Sequence, residues 1–343
     1  MKRSLAGPAA AAALVLAALT ACSTGSTDDT ATDADVRTSA DADAFPVTIE
    51  HAFGETTIEE EPTRVATLGW TDQDHALSLG VVPVGATKIT WGGNEAGSTA
   101  WFDAEIEELG AEAPVRYDDT DGVPVDEVAT TNPDLILATN SGLTEADYKK
   151  LSKIAPVVAF PEAPWTTSWQ DSLELVGQAL GRTELAEEVK AETESAIEAA
   201  REEYPELEGK ELIYGYLTPT DLSQVGVYAP ADPRVAILRD LGLVDAPVVD
   251  GIIEEGQFYG QISAEKAADL DSDVLITWVE NPEDADVLRK NKLIGQIPAI
   301  KDGHFYAEAD KEITMANTNP TPLSIPVIIE KILPNVAEAV AGS

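Results

Sequence analysis

From residue 64 onward the chain alternates short apolar runs with stretches in which apolar positions recur every three or four residues. The run RVATL at 64–68 suits a buried strand, 72–79 has helical spacing, and the glycines and proline of 80–85 close that helix and open another strand. Helices are predicted at 102–109 and 126–131, a strand at 134–139 (DLILAT), a helix at 145–154 capped by Thr144, and a strand at 156–160. The order then recurs: a strand at 212–217 (LIYGYL), a helix at 234–241 ended by Gly242, a helix at 264–270 and a strand at 274–278. Strands of this kind, apolar throughout and separated by helices, predict an α/β fold whose parallel-rich sheets are covered by helices.

Between the two halves, 168–204 is helical in pattern except near Gly181. Its second part, TELAEEVKAETESAIEAAREEY, alternates Glu with Lys or Arg and small residues, as a largely solvated helix does. At about 1.5 Å per residue such a helix spans roughly 30 Å, the width of a small lobe. The expectation is two lobes, 46–166 and 206–343, joined by a single long interlobe helix at 167–205. Ligands of open α/β sheets bind beyond the carboxyl ends of the strands, so two such lobes enclose a cleft.

The N-terminal pattern differs. Lys2 and Arg3 precede an Ala- and Leu-rich stretch that is too short and too early broken, by Gly7 and Pro8, for a stable membrane span. This is the layout of a secretory signal, and LTAC at 19–22 resembles the lipobox of bacterial lipoproteins. The resemblance implies a signal peptide at 1–21 and lipid on Cys22, the chain's one cysteine. Residues 22–45 are largely Ser, Thr, Asp, Ala and Gly, a composition too polar to fold, and are expected to form a disordered acidic spacer. The protein is thereby placed at the extracytoplasmic face of the cell membrane, held by its lipid.

Charge narrows the partners. With 62 Asp and Glu against 22 Lys and Arg the net charge is −40, and the clustered cations that nucleic-acid binding needs are missing. The three histidines, His51, His75 and His304, are far apart and show no ligand spacing, so no metal site is expected. The sequence holds no G-x-S-x-G, H-E-x-x-H or phosphate-binding glycine motif. Acid pairs such as Asp72 and Asp74 keep an exported enzyme only as a minor alternative, because chance pairs abound in so acidic a chain.

Six ordered segments carry a wider resemblance: PTRVATLGWTDQDHALSLGVVPVGA at 62–86, TNPDLILAT at 131–139, LSKIAPVVAF at 151–160, ADPRVAILRDLGL at 231–243, ISAEKAADLDSDVLI at 262–276 and IPAIKDGHFY at 297–306. Together they resemble the binding component of ABC importers for iron siderophores, haem and cobalamin. The resemblance implies capture of a ferric siderophore in the interlobe cleft and its delivery to a permease served by an ATPase subunit. It also implies no cofactor of the protein's own, no catalysis, and action as a monomer. One acidic residue on each lobe docks into the permease in this family; alignment on 133–135 and 272–274 puts these at Asp126, with Glu127 adjacent, and Glu265. Haem and cobalamin remain the alternative ligands, and His75 or Tyr259 would then serve as the axial ligand that haem requires.

A wrapped ferric ion presents a compact, mixed surface, which suits aromatic walls with polar tips. The six tryptophans fall at predicted loops and strand ends. Trp70, Trp91, Trp165 and Trp278 are the leading wall candidates, with Tyr216, Tyr228 and Tyr259; Trp101 and Trp169 stand behind them. Arg234, which opens a helix, is the first candidate donor and Arg116 the second, since a guanidinium binds a hydroxamate oxygen or stacks on a ring. The lack of a basic cluster favours a hydroxamate or mixed siderophore of low net charge over a triply anionic catecholate.

Overall fold

The apolar runs become the centres of two sheets in the computed structural model, which describes residues 39–254 and 256–342. A hairpin of β1 (Val47–His51) and β2 (Gly54–Ile58) precedes the first sheet. That sheet takes β3 (Val65–Thr67), β4 (Gly85–Thr87), β5 (Val115–Tyr117), β6 (Leu135–Ala138) and β7 (Val157–Ala159) in the order β5-β4-β3-β6-β7. Every neighbouring pair is parallel. Residues Val65, Leu135, Ile136 and Val158 are wholly buried, as strands covered on both faces must be.

The second sheet contains β8 (Glu211–Thr218), β9 (Asp221–Tyr228), β10 (Val244–Asp245), β11 (Tyr259–Ser263), β12 (Val274–Trp278) and β13 (Phe305–Glu308). Its order is β11-β9-β8-β12-β13, with β10 beside β8. The core β8-β12-β13 is parallel, whereas β9 runs antiparallel to its neighbours β8 and β11. One device recurs in both sheets. Asp134, just ahead of β6, accepts backbone hydrogen bonds from Thr63 (2.9 Å) and Arg64 (2.8 Å) at the start of β3. Asp273, just ahead of β12, accepts one from Glu211 (2.9 Å) at the start of β8. Each carboxylate thus pins the adjacent strand into register, and the two halves repeat one plan.

The connecting segment is helical on both sides of a break. Ser168 caps Trp169–Ala179, Gly181 turns the chain at φ +66°, and Thr183–Glu203 continues for 21 residues. At about 1.5 Å per residue the second helix is roughly 30 Å long. Leu173, Val176, Ala186, Val189 and Ile197 share one continuous core with Val65 and Leu135 of the first sheet and Leu212 and Val274 of the second. The link is therefore packed against both halves.

Two features differ from the sequence reading, and a third, a helix, was not predicted. The 264–270 segment is a 3-10 helix, Ala264–Asp269, not an α-helix. The end of the presumed spacer is tied down: Asp41 N donates to Gly181 O (2.6 Å), its carboxylate accepts from Glu184 N (3.1 Å), and Phe45 packs on the core. Helix Lys311–Thr318, capped by Asp310, lies across the molecule. Glu312 accepts from Ala100 N (2.8 Å), and the nearby Thr321 hydroxyl donates to Asp74 (3.0 Å), so this region bridges the two sheets' lobes. The expected signal peptide, the lipid expected on Cys22 and the part of the expected spacer before residue 39 lie outside the described residues.

Candidate functional site

Parallel strands end together, and the residues that follow them are held at one edge. Trp70 lies just beyond β3, Asn140 just beyond β6, and Trp278 ends β12. Tyr216 stands on β8 two residues before its end. Tyr228 ends β9 and pairs directly across the antiparallel ladder with Tyr259, the first residue of β11. Cross-strand partners share a face, so their rings meet.

The result is a connected wall of rings. Trp91 from a first-lobe loop meets Trp278 with centroids 5.0 Å apart, edge to face. Trp278 lies 5.6 Å from Tyr216, Tyr216 lies 6.5 Å from Tyr259, and Tyr259 lies 5.4 Å from Tyr228. These are the offset and edge geometries in which ring pairs gain beyond simple burial, by about 0.5–1.5 kcal/mol each.

Arg234 closes the wall, its guanidinium 3.8 Å above the Tyr228 ring. It sits in the first turn of helix Pro233–Asp240, whose N-cap Asp232 grips it twice, through Nε (2.6 Å) and Nη2 (3.2 Å). Burial raises the Asp232 pKa while Arg234 opposes that rise. Burial is the largest influence on the Arg234 charge and works against it, but Asp232 together with Tyr228 and Tyr214 outweighs it and the net shift is upward. The guanidinium is therefore a fixed, charged donor, stacked on one side and half-neutralised.

Beside this wall lies a cavity of about 340 Å³. Trp70, Asn140 and Trp165 line it from the first lobe, and Asp232, Arg234 and Phe258 from the second. Phe258 is adjacent to Tyr259, with ring centroids 6.4 Å apart, so cavity and wall are continuous through it and Arg234. All eight candidate binding residues, Trp70, Trp91, Trp165, Tyr216, Tyr228, Arg234, Tyr259 and Trp278, thus fall on the cavity or the wall.

The other candidates go elsewhere. Arg116 hydrogen-bonds Gln73, the Thr87 carbonyl (3.2 Å) and Ser98 (2.7 Å) and lies over Phe102, which makes it an internal brace of the first lobe. Trp101 donates to Asp74 (2.7 Å), and Trp169 is buried beside Asp240. His75 is wholly buried, with its pKa lowered by burial to about 3, so it does not face the cleft as an axial ligand must. Asp72 and Asp74 are equally buried and present no catalytic pair to the cleft. Asp126 and Glu265 are exposed at the starts of Val125–Thr130 and Ala264–Asp269.

Sequence reasoning missed Asp232, Asn140 and Phe258. Asp232 carried a usable signal, because Asp followed by Pro marks a helix N-cap and first turn. Asn140 follows a strand carboxyl end by two residues, the position from which open sheets address ligands. Phe258 had no comparable signal, since it lies just ahead of β11, a strand that shows no apolar run. Among the described residues, no three His, Cys, Asp or Glu side chains converge as a metal site.

The chain matches the family model described as periplasmic binding protein over residues 65–311. It is 36% identical to Streptococcus pneumoniae PiaA solved in complex with ferrichrome, with a TM-score of 0.82, covering 87% of this chain and 99% of that one. A periplasmic solute binding protein from Mycobacterium smegmatis is 30% identical with a TM-score of 0.71, covering 86% and 98% of the two chains. The iron(3+)-hydroxamate-binding protein FhuD of Bacillus subtilis is 28% identical over 310 residues, 88% of this chain and 89% of that protein.

Proposed function

The chain belongs to the periplasmic binding protein family, and from that premise we propose that it captures a ferric siderophore in the cleft and hands it to the permease of an ABC importer. The ring wall from Trp91 to Tyr228, closed by Arg234, carries this reading. Flat apolar faces accept the organic shell of a chelated ion, and a stacked guanidinium offers N–H groups to its oxygens. Ferrichrome in the PiaA structure is a ligand of this kind.

Charge sets the class of siderophore. Among the described residues Arg234 is the one cation lining the cavity, and Asp232 already engages it, while Asp119 adds a second carboxylate to the lining. A triply anionic catecholate would meet more negative than positive charge there. A ferric tris-hydroxamate, close to neutral, would not. The lipid on Cys22 and the partnership with permease and ATPase subunits complete the reading, with the folded unit tethered outside the membrane.

Tryptophan quenching tests it directly. Ferrichrome is expected to bind the full chain far more tightly than iron-free desferrichrome or a ferric tris-catecholate, and Arg234→Lys is expected to weaken it about tenfold or more, in line with roughly 1.5–3 kcal/mol for a charged hydrogen bond. Equal affinity for loaded and iron-free forms, or tighter binding of the catecholate, would overturn the assignment.

A further inference from the structure

A second chamber of about 180 Å³ adjoins the main cleft, and Trp165 and Asp119 line both spaces. Its other walls are mostly apolar, with Leu68, Val123, Pro124 and Leu143. Trp165 holds a φ of +63°, a region that side-chain-bearing residues rarely adopt. Its indole lies so close to Gly142 that a Cβ there would sit 2.9 Å from two ring atoms. The missing side chain is what lets the ring settle at the rim between the two spaces.

Asp119 is half-buried, and among the described residues its carboxylate is met by its own backbone N–H but by no cation. Burial and neighbouring Asp118 hold its carboxyl above the ordinary range, and no cation contributes. Arg234, the one cation among the described residues lining either space, is engaged by Asp232. The two spaces therefore share a carboxylate without a cationic partner and an indole, beside mostly apolar walls.

Resting on the siderophore reading above, we propose that the side chamber receives an alkylammonium arm of the ligand, its methylenes along Val123, Pro124 and Leu143 and its ammonium between Asp119 and the Trp165 face. Such a group buries an aliphatic stem while its head gains a charge-assisted hydrogen bond and a cation–π contact. The favoured ligand class is then a linear tris-hydroxamate ending in a primary amine.

Three probes separate this inference from its premise: ferrioxamine B, which ends in such an amine; its N-acetyl derivative, which differs in lacking the charge; and ferrichrome, which has no such arm. By tryptophan quenching of the full chain, ferrioxamine B is expected to bind about tenfold more tightly than the acetylated form. In Asp119→Asn that ratio falls to about one, and any loss common to both ligands cancels. Val123→Phe, which fills the chamber, weakens ferrioxamine B relative to ferrichrome by about fivefold or more. Equal affinities for the amine and acetylated forms in the unaltered chain, or a ratio that survives Asp119→Asn, would overturn the side-chamber assignment while ferrichrome binding leaves the siderophore reading standing. Failure of all three probes to bind would overturn both.

Discussion

Helix Asp72–Ser78 buries all seven of its residues, including Asp72, Asp74 and His75. Asp72 accepts from the backbone N (2.9 Å) and hydroxyl (2.6 Å) of Thr139, which ties the helix to the end of β6. Asp74 accepts from Trp101 (2.7 Å) and from Thr321 (3.0 Å) of the other lobe. Burial outweighs these hydrogen bonds and pushes Asp72 up to about 7 and Asp74 up to about 6. A carboxyl whose folded pKa exceeds its unfolded value of about 3.9 keeps a proton that the unfolded chain has released. Its contribution to stability is complete below about pH 4 and is lost as pH rises through about 7. His75, held down to about 3, acts oppositely below about pH 6.5, because only the unfolded chain protonates there. Asp72→Asn keeps an oxygen for Thr139 and removes the titration. Its thermal midpoint is therefore expected to fall less between pH 5 and pH 8 than that of the unaltered chain. Parallel curves for the two proteins would refute the assignment.

Single elements show what local pattern can and cannot reveal. The parallel strands β3, β6, β7, β8 and β12 were legible because burial on both faces leaves an uninterrupted apolar run. Strands β9 and β11 were not, since DLSQVGVY and YGQIS are broken by polar residues and glycine and gain their pairing from each other. The candidate wall was legible because its tryptophans and tyrosines cluster at strand ends; Arg234 was legible as a helix opener, and the same Asp-Pro signal offered its partner Asp232, which was passed over. Gly181 was legible for a physical reason that also makes it testable. Its φ of +66° favours glycine, and an added Cβ would lie 2.5 Å from the Phe45 ring. Gly181→Ala is expected to cost about 2–3 kcal/mol, summing roughly 1 for the backbone and 1–2 for the clash. Urea unfolding is the measurement, with ferrichrome affinity unchanged because the site lies elsewhere. A loss below about 0.5 kcal/mol would show that the turn and the Phe45 contact relax freely.

At the scale of the whole molecule the question is where a permease could take hold. A net charge of −40 favours any basic surface, so charge alone selects no face, and salt screens it beyond about 8 Å at physiological ionic strength. Geometry selects more sharply. A helix between parallel strands runs back along the sheet, which puts the start of Val125–Thr130 and its Asp126 at the level of the strand carboxyl ends; Val123 and Pro124, just before it, line the side chamber. In the second lobe β11 runs from Tyr259, opposite Tyr228, to Ser263, opposite Gln224, towards the β8-β9 turn, so Glu265 also lies beyond the carboxyl edge. Both acids are exposed and flank the edge at which the cleft opens, where a partner receiving the ligand must contact the protein. Combined Asp126→Lys and Glu265→Lys should abolish siderophore uptake by whole cells while ferrichrome affinity of the isolated protein stays within about twofold. Glu188→Lys with Glu192→Lys changes the net charge equally on the exposed face of helix Thr183–Glu203 and should leave uptake intact. Equal uptake by the two double variants would sink the docking role, because uptake would then follow total charge and not position.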